Sequence, residues 1–182
     1  MRNIVILSAV ALAGCNTAGM TENQTQSTIA GSAMADAQMT ASSSTEYVAM
    51  AGASDLYEIE SSRLALQQSQ NAQIQQFART MIDHHTRTTN TVMTAARAAG
   101  LNPAAPKLMP MQRQMVDRLR NVQGSSFDSM YLSQQRQAHQ MALTLHTGFA
   151  EDGGAGPLRD AAQSAVPIIE DHIRRLQSMP NT

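Results

Sequence analysis

Residues 72–100 read AQIQQFARTMIDHHTRTTNTVMTAARAAG, and their spacing decides the fold class. Apolar or small side chains recur at Ile74, Phe77, Ala78, Met81, Val92, Ala95, Ala96 and Ala99, the rhythm of one helical face and not the alternation of a strand. Gly100 supplies a stop for a helix over about 72–99. The histidine doublet in the middle divides by geometry. At about 100° per residue, His85 joins the stripe of Phe77, Met81, Thr88 and Val92, His84 falls toward one edge, and Asp83 points to solvent.

The same rhythm extends to both sides. A helix over about 45–70 carries Val48, Leu56, Ile59 and Leu66, and one over about 126–151 carries Phe127, Tyr131, Ala138, Ala142, Leu145 and Phe149, with Ser125 or Ser126 as its cap. EDGGAG makes a turn before Pro157, a suitable first residue for a helix over about 157–178 that aligns Leu158, Ala161, Ala165, Ile169, Ile173 and Leu176. Pro167 should leave the Gln163 carbonyl without its helical partner and bend this helix. LNPAAPKLMP breaks the chain after the second long helix, and a short helix near 111–121 follows, with the methionines of MPMQRQM facing the core. Four long amphipathic helices make an all-α four-helix bundle with a short extra helix between helices two and three. The link of roughly 25 residues is long enough to cross the bundle's length, which leaves the topology open.

Composition agrees. The 182 residues suit one domain, and 42% are hydrophobic with only 3% aromatic and no tryptophan, a helix-forming mixture rich in small residues. A net charge of −1 offers no field for a phosphate backbone, so no nucleic-acid partner is expected. One cysteine excludes a disulfide framework and any multi-cysteine metal site.

That cysteine belongs to the N-terminus. MRNIVILSAVALAGC has Arg2 before an apolar run from Ile4 to Leu12, too short for the roughly 20 residues of a membrane span. Leu12-Ala13-Gly14-Cys15 resembles the lipobox of bacterial lipoproteins, which implies cleavage of residues 1–14 and acylation of Cys15. Asn16 is not the aspartate that retains many such proteins at the inner membrane, so the resemblance implies an outer-membrane lipoprotein of the bacterial cell envelope, facing the periplasm and held by its acyl chains. Residues 15–44 are mostly Ser, Thr, Ala, Gln and Gly, a flexible tether in which Met20, Met34 and Met39 are incidental. The bundle then occupies 45–179.

The remaining polar groups can be placed by face and height. Glu58 and Glu60 flank the first helix's stripe on opposite sides, and periodicity does not choose between them. Asp128, Gln135, His139 and His146 line one flank of the third helix, and His172 faces inward from the fourth between Ala165, Ile169 and Leu176. Glu58 lies 13 residues before Asn71 and His85 lies 14 after it, so an antiparallel hairpin brings them level. Asp128 lies about 16 Å along the axis from His139 and His146 about 10 Å, at 1.5 Å per residue. The convergent set is Glu58, His85, His139 and His172.

EIESSRLAL at 58–66, FARTMIDHHTRTTN at 77–90, FDSMYLSQQRQAH at 127–139 and VPIIEDH at 166–172 together resemble the bacterial family named for domain of unknown function 4142, over about residues 46–177. The resemblance implies a ferritin-like helical bundle in the envelope, with Glu58 rather than Glu60, and matches His85, Asp128, Tyr131, His139, Pro167 and His172. His84 stands where that family tends to have aspartate. No reaction follows from it.

Chemistry is bounded by what stands near the histidines. Di-iron bundles use Glu-x-x-His pairs. Here Ile82, Arg136 and Ile169 occupy the positions three before His85, His139 and His172, which argues against that centre. Three imidazoles and a carboxylate suit a single zinc, copper or iron ion. Asp128 is placed to cap its helix. No nucleophile elbow or phosphate-binding glycine loop is present. Two readings remain: a non-enzymatic envelope lipoprotein whose bundle binds a partner or is structural, with His85 paired to Glu58 in a buried polar network, or a mononuclear metal-binding or redox protein.

Overall fold

The computed structural model describes residues 40–153 and 156–179. The signal segment, Cys15 and the tether up to residue 39, with Met20, Met34 and Met39, lie outside the described residues. Five helices follow in order: α1 Ser44–Gln68, α2 Ala72–Ala98, α3 Pro110–Arg120, α4 Gly124–Asp152 and α5 Pro157–Ser178. Among the described residues there is no strand, and no helix is long and apolar enough to cross a membrane.

Local signals set the ends of these helices. Ser43 caps α1, its side chain accepting from the Glu46 N–H at 3.2 Å while the Glu46 carboxylate accepts from Ser42. Asn71 caps α2 by accepting from the N–H groups of Gln73 and Ile74. The α2 C-terminus closes on Gly100 at φ +78, with Leu101 N–H reaching the Ala96 carbonyl and Gly100 N–H the Arg97 carbonyl. One cap differs from expectation. Helix α4 begins at Gly124, where a φ of +61 turns the chain in early, so Gln123 occupies the cap position and Ser125 and Ser126 lie inside the first turn. Asp128 is therefore too far into α4 to cap it, and its Oδ1 is buried without a hydrogen-bond partner. Helix α5 continues through Pro167, which is exposed.

Two apolar clusters reveal the topology. One joins Val48 near the start of α1 and Leu158 near the start of α5 to Val92 and Phe149 near the ends of α2 and α4. The other joins Ala65 and Leu176 near the ends of α1 and α5 to Ile74 and Phe127 near the starts of α2 and α4. Helices α1 and α5 therefore run one way and α2 and α4 the other. The 99–123 link is a crossover: Leu101 and Met109 pack on the first cluster, and Leu119 of α3 lies in the second. A single long crossover is the connectivity of ferritin-like bundles.

The crossover explains why α1 departs from the expected stripe. Leu56 and Leu66 are only half-buried, whereas Ala51, Asp55, Glu58, Ser62 and Ala65 are buried along one face. Because α2, α4 and α3 all pack against α1, small residues let them approach and no single hydrophobic stripe is needed. Gly52 is the closest approach: a Cβ there would lie 3.1 Å from Pro106 Cγ. Gly52→Val should lower stability by about 1–3 kcal/mol in urea unfolding. Gly52→Ala, which regains about 0.5–1 kcal/mol of helix propensity, should stay near wild type. A valine variant as stable as wild type would show that the crossover does not pack there.

Candidate metal centre

Between the two apolar ends lies a belt of buried polar side chains contributed by all four long helices. Asp55 of α1 accepts three hydrogen bonds from α2: His85 Nδ1–H at 2.8 Å on Oδ1, and the hydroxyls of Thr88 at 3.0 Å and Thr89 at 2.9 Å on Oδ2. A carboxylate can only accept, so His85 carries a proton on Nδ1, and the neutral ring turns the lone pair of Nε2 inward. That nitrogen is buried and has no hydrogen-bond partner.

His139 of α4 is oriented by its own helix. Its Nδ1–H donates to the Gln135 carbonyl at 2.8 Å, which leaves Nε2 as the lone-pair nitrogen, 3.2 Å from Nδ1 of His172 on α5. The other nitrogen of His172, Nε2, meets His84 Nδ1 at 2.8 Å. Each inner histidine thus has one nitrogen engaged on its outer side, and one nitrogen from each of His85, His139 and His172 lies within 4.8 Å of the others. Two nitrogens held at 2.0–2.1 Å by one tetrahedral ion lie about 3.4 Å apart, so the His139–His172 pair already has that spacing.

Glu58 sits beside this group. Its Oε1 is 3.4 Å from His139 Nδ1, the side away from His172, and neither carboxylate oxygen has a hydrogen-bond partner. The four expected residues therefore come together, but as three converging imidazoles with a carboxylate next to one of them. The expected pairing of His85 with Glu58 is replaced by His85 with Asp55. Sequence reasoning passed over Asp55 because aspartate interrupts an apolar stripe; its signal was position, three residues before Glu58 on the same face. His84 is the other surprise, a half-buried residue whose ring closes over His172.

His146, set aside by height, and Glu60, disfavoured by the family resemblance, are elsewhere. His146 bonds Tyr47 Oη at 2.9 Å, and Glu60 faces Arg120 at 3.7 Å. Arg136, three before His139, donates to the Leu176 and Met179 carbonyls at the end of α5, and Ile82 and Ile169 supply no ligand. None of these three positions supplies the bridging carboxylate of a di-iron centre.

Burial governs the charges. It pushes Glu58 up to about 7 against the pull of His85, and it holds His139 down at about 3 and His146 at about 4. His172 is depressed by burial and by the neighbouring His85 and His139. For His85, burial pulls down but the hydrogen bond and charge of Asp55 outweigh it, so the group lies above its ordinary value.

The sign of the pH dependence follows. An unfolded histidine takes a proton near 6.5 that His146 refuses until about 4, so its contribution is complete above 6.5 and lost as pH falls toward 4. Glu58 and His85 act oppositely: the Glu58 contribution is complete below 4.5 and lost as pH rises toward 7. Three depressed histidines dominate, and metal-free protein should lose thermal stability between pH 6.5 and 5. His146→Gln, which keeps an acceptor for Tyr47 but does not titrate, should recover on the order of 2 kcal/mol of that loss. An unchanged pH profile in this variant would contradict the assignment.

No curated protein and no solved structure matches the chain. The profile of the family described as Domain of unknown function (DUF4142) matches residues 29–179, a span that contains all five helices and every residue of the polar belt, and the chain belongs to that family.

Proposed function

We propose that the bundle is a mononuclear metal-binding protein that holds one divalent transition-metal ion on His85, His139 and His172. The observation that carries this reading is the bare, buried Nε2 of His85, whose tautomer is fixed by Asp55. A buried nitrogen left without a partner costs about 1–3 kcal/mol, and a purely structural histidine would avoid that cost by finding one. Charge supports the same reading. Asp55 and Glu58 are both buried in the belt, and no lysine or arginine among the described residues is buried with them, so a cation on the imidazoles would replace the proton that burial favours on Glu58.

The donor set also defines the class of ion. Imidazole nitrogens with a carboxylate nearby suit zinc, copper or iron and do not suit calcium or magnesium, which require oxygen cages. The outer partners, Asp55 for His85, the Gln135 carbonyl for His139 and His84 for His172, are the kind of second shell that fixes ligand tautomers. Glu58, pushed up by burial and 3.4 Å from His139 Nδ1, would ionise once the cation neutralises its surroundings and would steady that ligand from its outer side. Full burial of His139 and His172 favours holding the ion over turning over a bulky substrate, which supports a binding role.

Protein purified without a histidine tag should contain about one such ion per chain. The His85→Ala/His172→Ala double variant should lose it, and Asp55→Asn should weaken affinity about 10–100-fold. Substoichiometric metal that is the same in wild type and the double variant would sink the reading.

The proposal includes the envelope. The lipobox-like LAGC at 12–15 supports a bundle tethered through acylated Cys15 to the periplasmic face of the outer membrane. Cys15→Ser should release the protein from the membrane fraction of a bacterial host; continued sedimentation with membranes after a salt wash would refute acylation as the anchor.

A further inference from the structure

A second constellation lies on the side of α1 that the crossover covers. A cavity of about 20 Å³, room for one body the size of a water molecule, is lined by Met50 of α1, Met109 at the entry to α3, Met111 and Met115 of α3, and Met141 of α4. Methionine makes up 13 of the chain's 182 residues, yet it supplies nearly half of this wall. Three separate elements contribute.

Methionine fills irregular gaps well, but leucine costs less side-chain freedom, and five methionines around one small space also concentrate polarisable sulfur there. Two of the three polar neighbours are engaged: the Gln112 side-chain carbonyl accepts from Met109 N–H at 2.9 Å, and the Tyr57 hydroxyl donates to Gln134 Oε1 at 3.0 Å. Besides the Ser54 hydroxyl, the five lining methionines bring thioether sulfur, whose lone pairs serve a hydrogen-bonding water poorly and a soft cation well. Met50 and Met115 are buried, whereas Met109, Met111 and Met141 are half-buried and give the cavity a route to solvent.

We propose that this methionine cage is a second metal site, distinct from the histidine centre, that takes one soft monovalent cation of the Cu(I) or Ag(I) class through thioether sulfur. Binding is coordination only: sulfur lone pairs replace the ligands the cation arrives with, and neither a proton nor an electron is transferred. Thioethers carry no proton in water, so affinity at this site does not change between pH 7 and pH 5. The proposal stands whether or not the histidine centre binds a metal.

The test is an anaerobic titration of the full chain with Cu(I) against a chromogenic Cu(I) chelator at both pH values. The His85→Ala/His172→Ala variant should hold Cu(I) with the same affinity at pH 7 and pH 5, and the triple variant Met109→Leu/Met111→Leu/Met141→Leu placed in that background should bind at least tenfold more weakly while keeping its helical circular dichroism and cooperative melting. If the triple variant does not fold, X-ray absorption of the Cu(I)-loaded histidine double variant decides, because a sulfur shell supports the cage and a shell of nitrogen and oxygen alone overturns it. Undiminished affinity in the folded triple variant, or loss of all Cu(I) binding in the histidine double variant, also overturns it.

Discussion

A carboxylate buried between helices must be met by donors, and Asp55 is met by three from a single neighbour, His85, Thr88 and Thr89. Hydrogen bonds to an ionised group are worth about 1.5–3 kcal/mol each, so this cluster outweighs most individual apolar contacts in the bundle. It sets the register of α1 against α2. It also decides which nitrogen of His85 carries the proton, and so which nitrogen faces His139 and His172. Without Asp55 the three imidazoles would be a loose group of tautomers; with it, one lone pair is presented in a fixed direction.

The topology gives that belt its surroundings. Because α1 and α5 run against α2 and α4, apolar side chains gather at both ends of the bundle and leave the middle for polar groups. The crossover then covers the outer side of α1, turning a helix that would otherwise have a wet face into one enclosed by α2, α3 and α4. Small residues along α1 make that enclosure possible. Neighbouring faces of the same helix carry different chemistry: Asp55 and Glu58 turn toward the imidazoles, whereas Met50 and Tyr57 line the cavity beneath α3. Low dielectric on both sides strengthens every charge interaction in the belt and penalises any group left unpaired.

Much of this was legible in the sequence where the code is local. Periodicity and turn residues placed each of the five helices to within two residues at either end, and counting outward from Asn71 brought Glu58 level with His85. What failed was relational. The start of α4 was misplaced because a positive φ at Gly124 substituted for a serine cap. The stripe assigned to α1 held at Val48 and Ile59 and failed at Leu56 and Leu66, because it assumed one neighbour and the crossover supplied a second packing surface. Asp55 was passed over because a charge on an inward face reads as an interruption until its three donors on another helix are known. His84 was judged a boundary residue, which it is, but no pattern within α2 could show that its ring nitrogen reaches His172.

The central claim is that the nitrogens of His85, His139 and His172 share one ion. Crystals of the untagged protein grown with zinc, measured above and below the zinc absorption edge, would locate any ion directly. One strong anomalous peak should lie about 2 Å from a nitrogen of each of the three histidines. Well-ordered crystals with no peak among these imidazoles, or with the three rings turned onto water or protein partners, would contradict that claim.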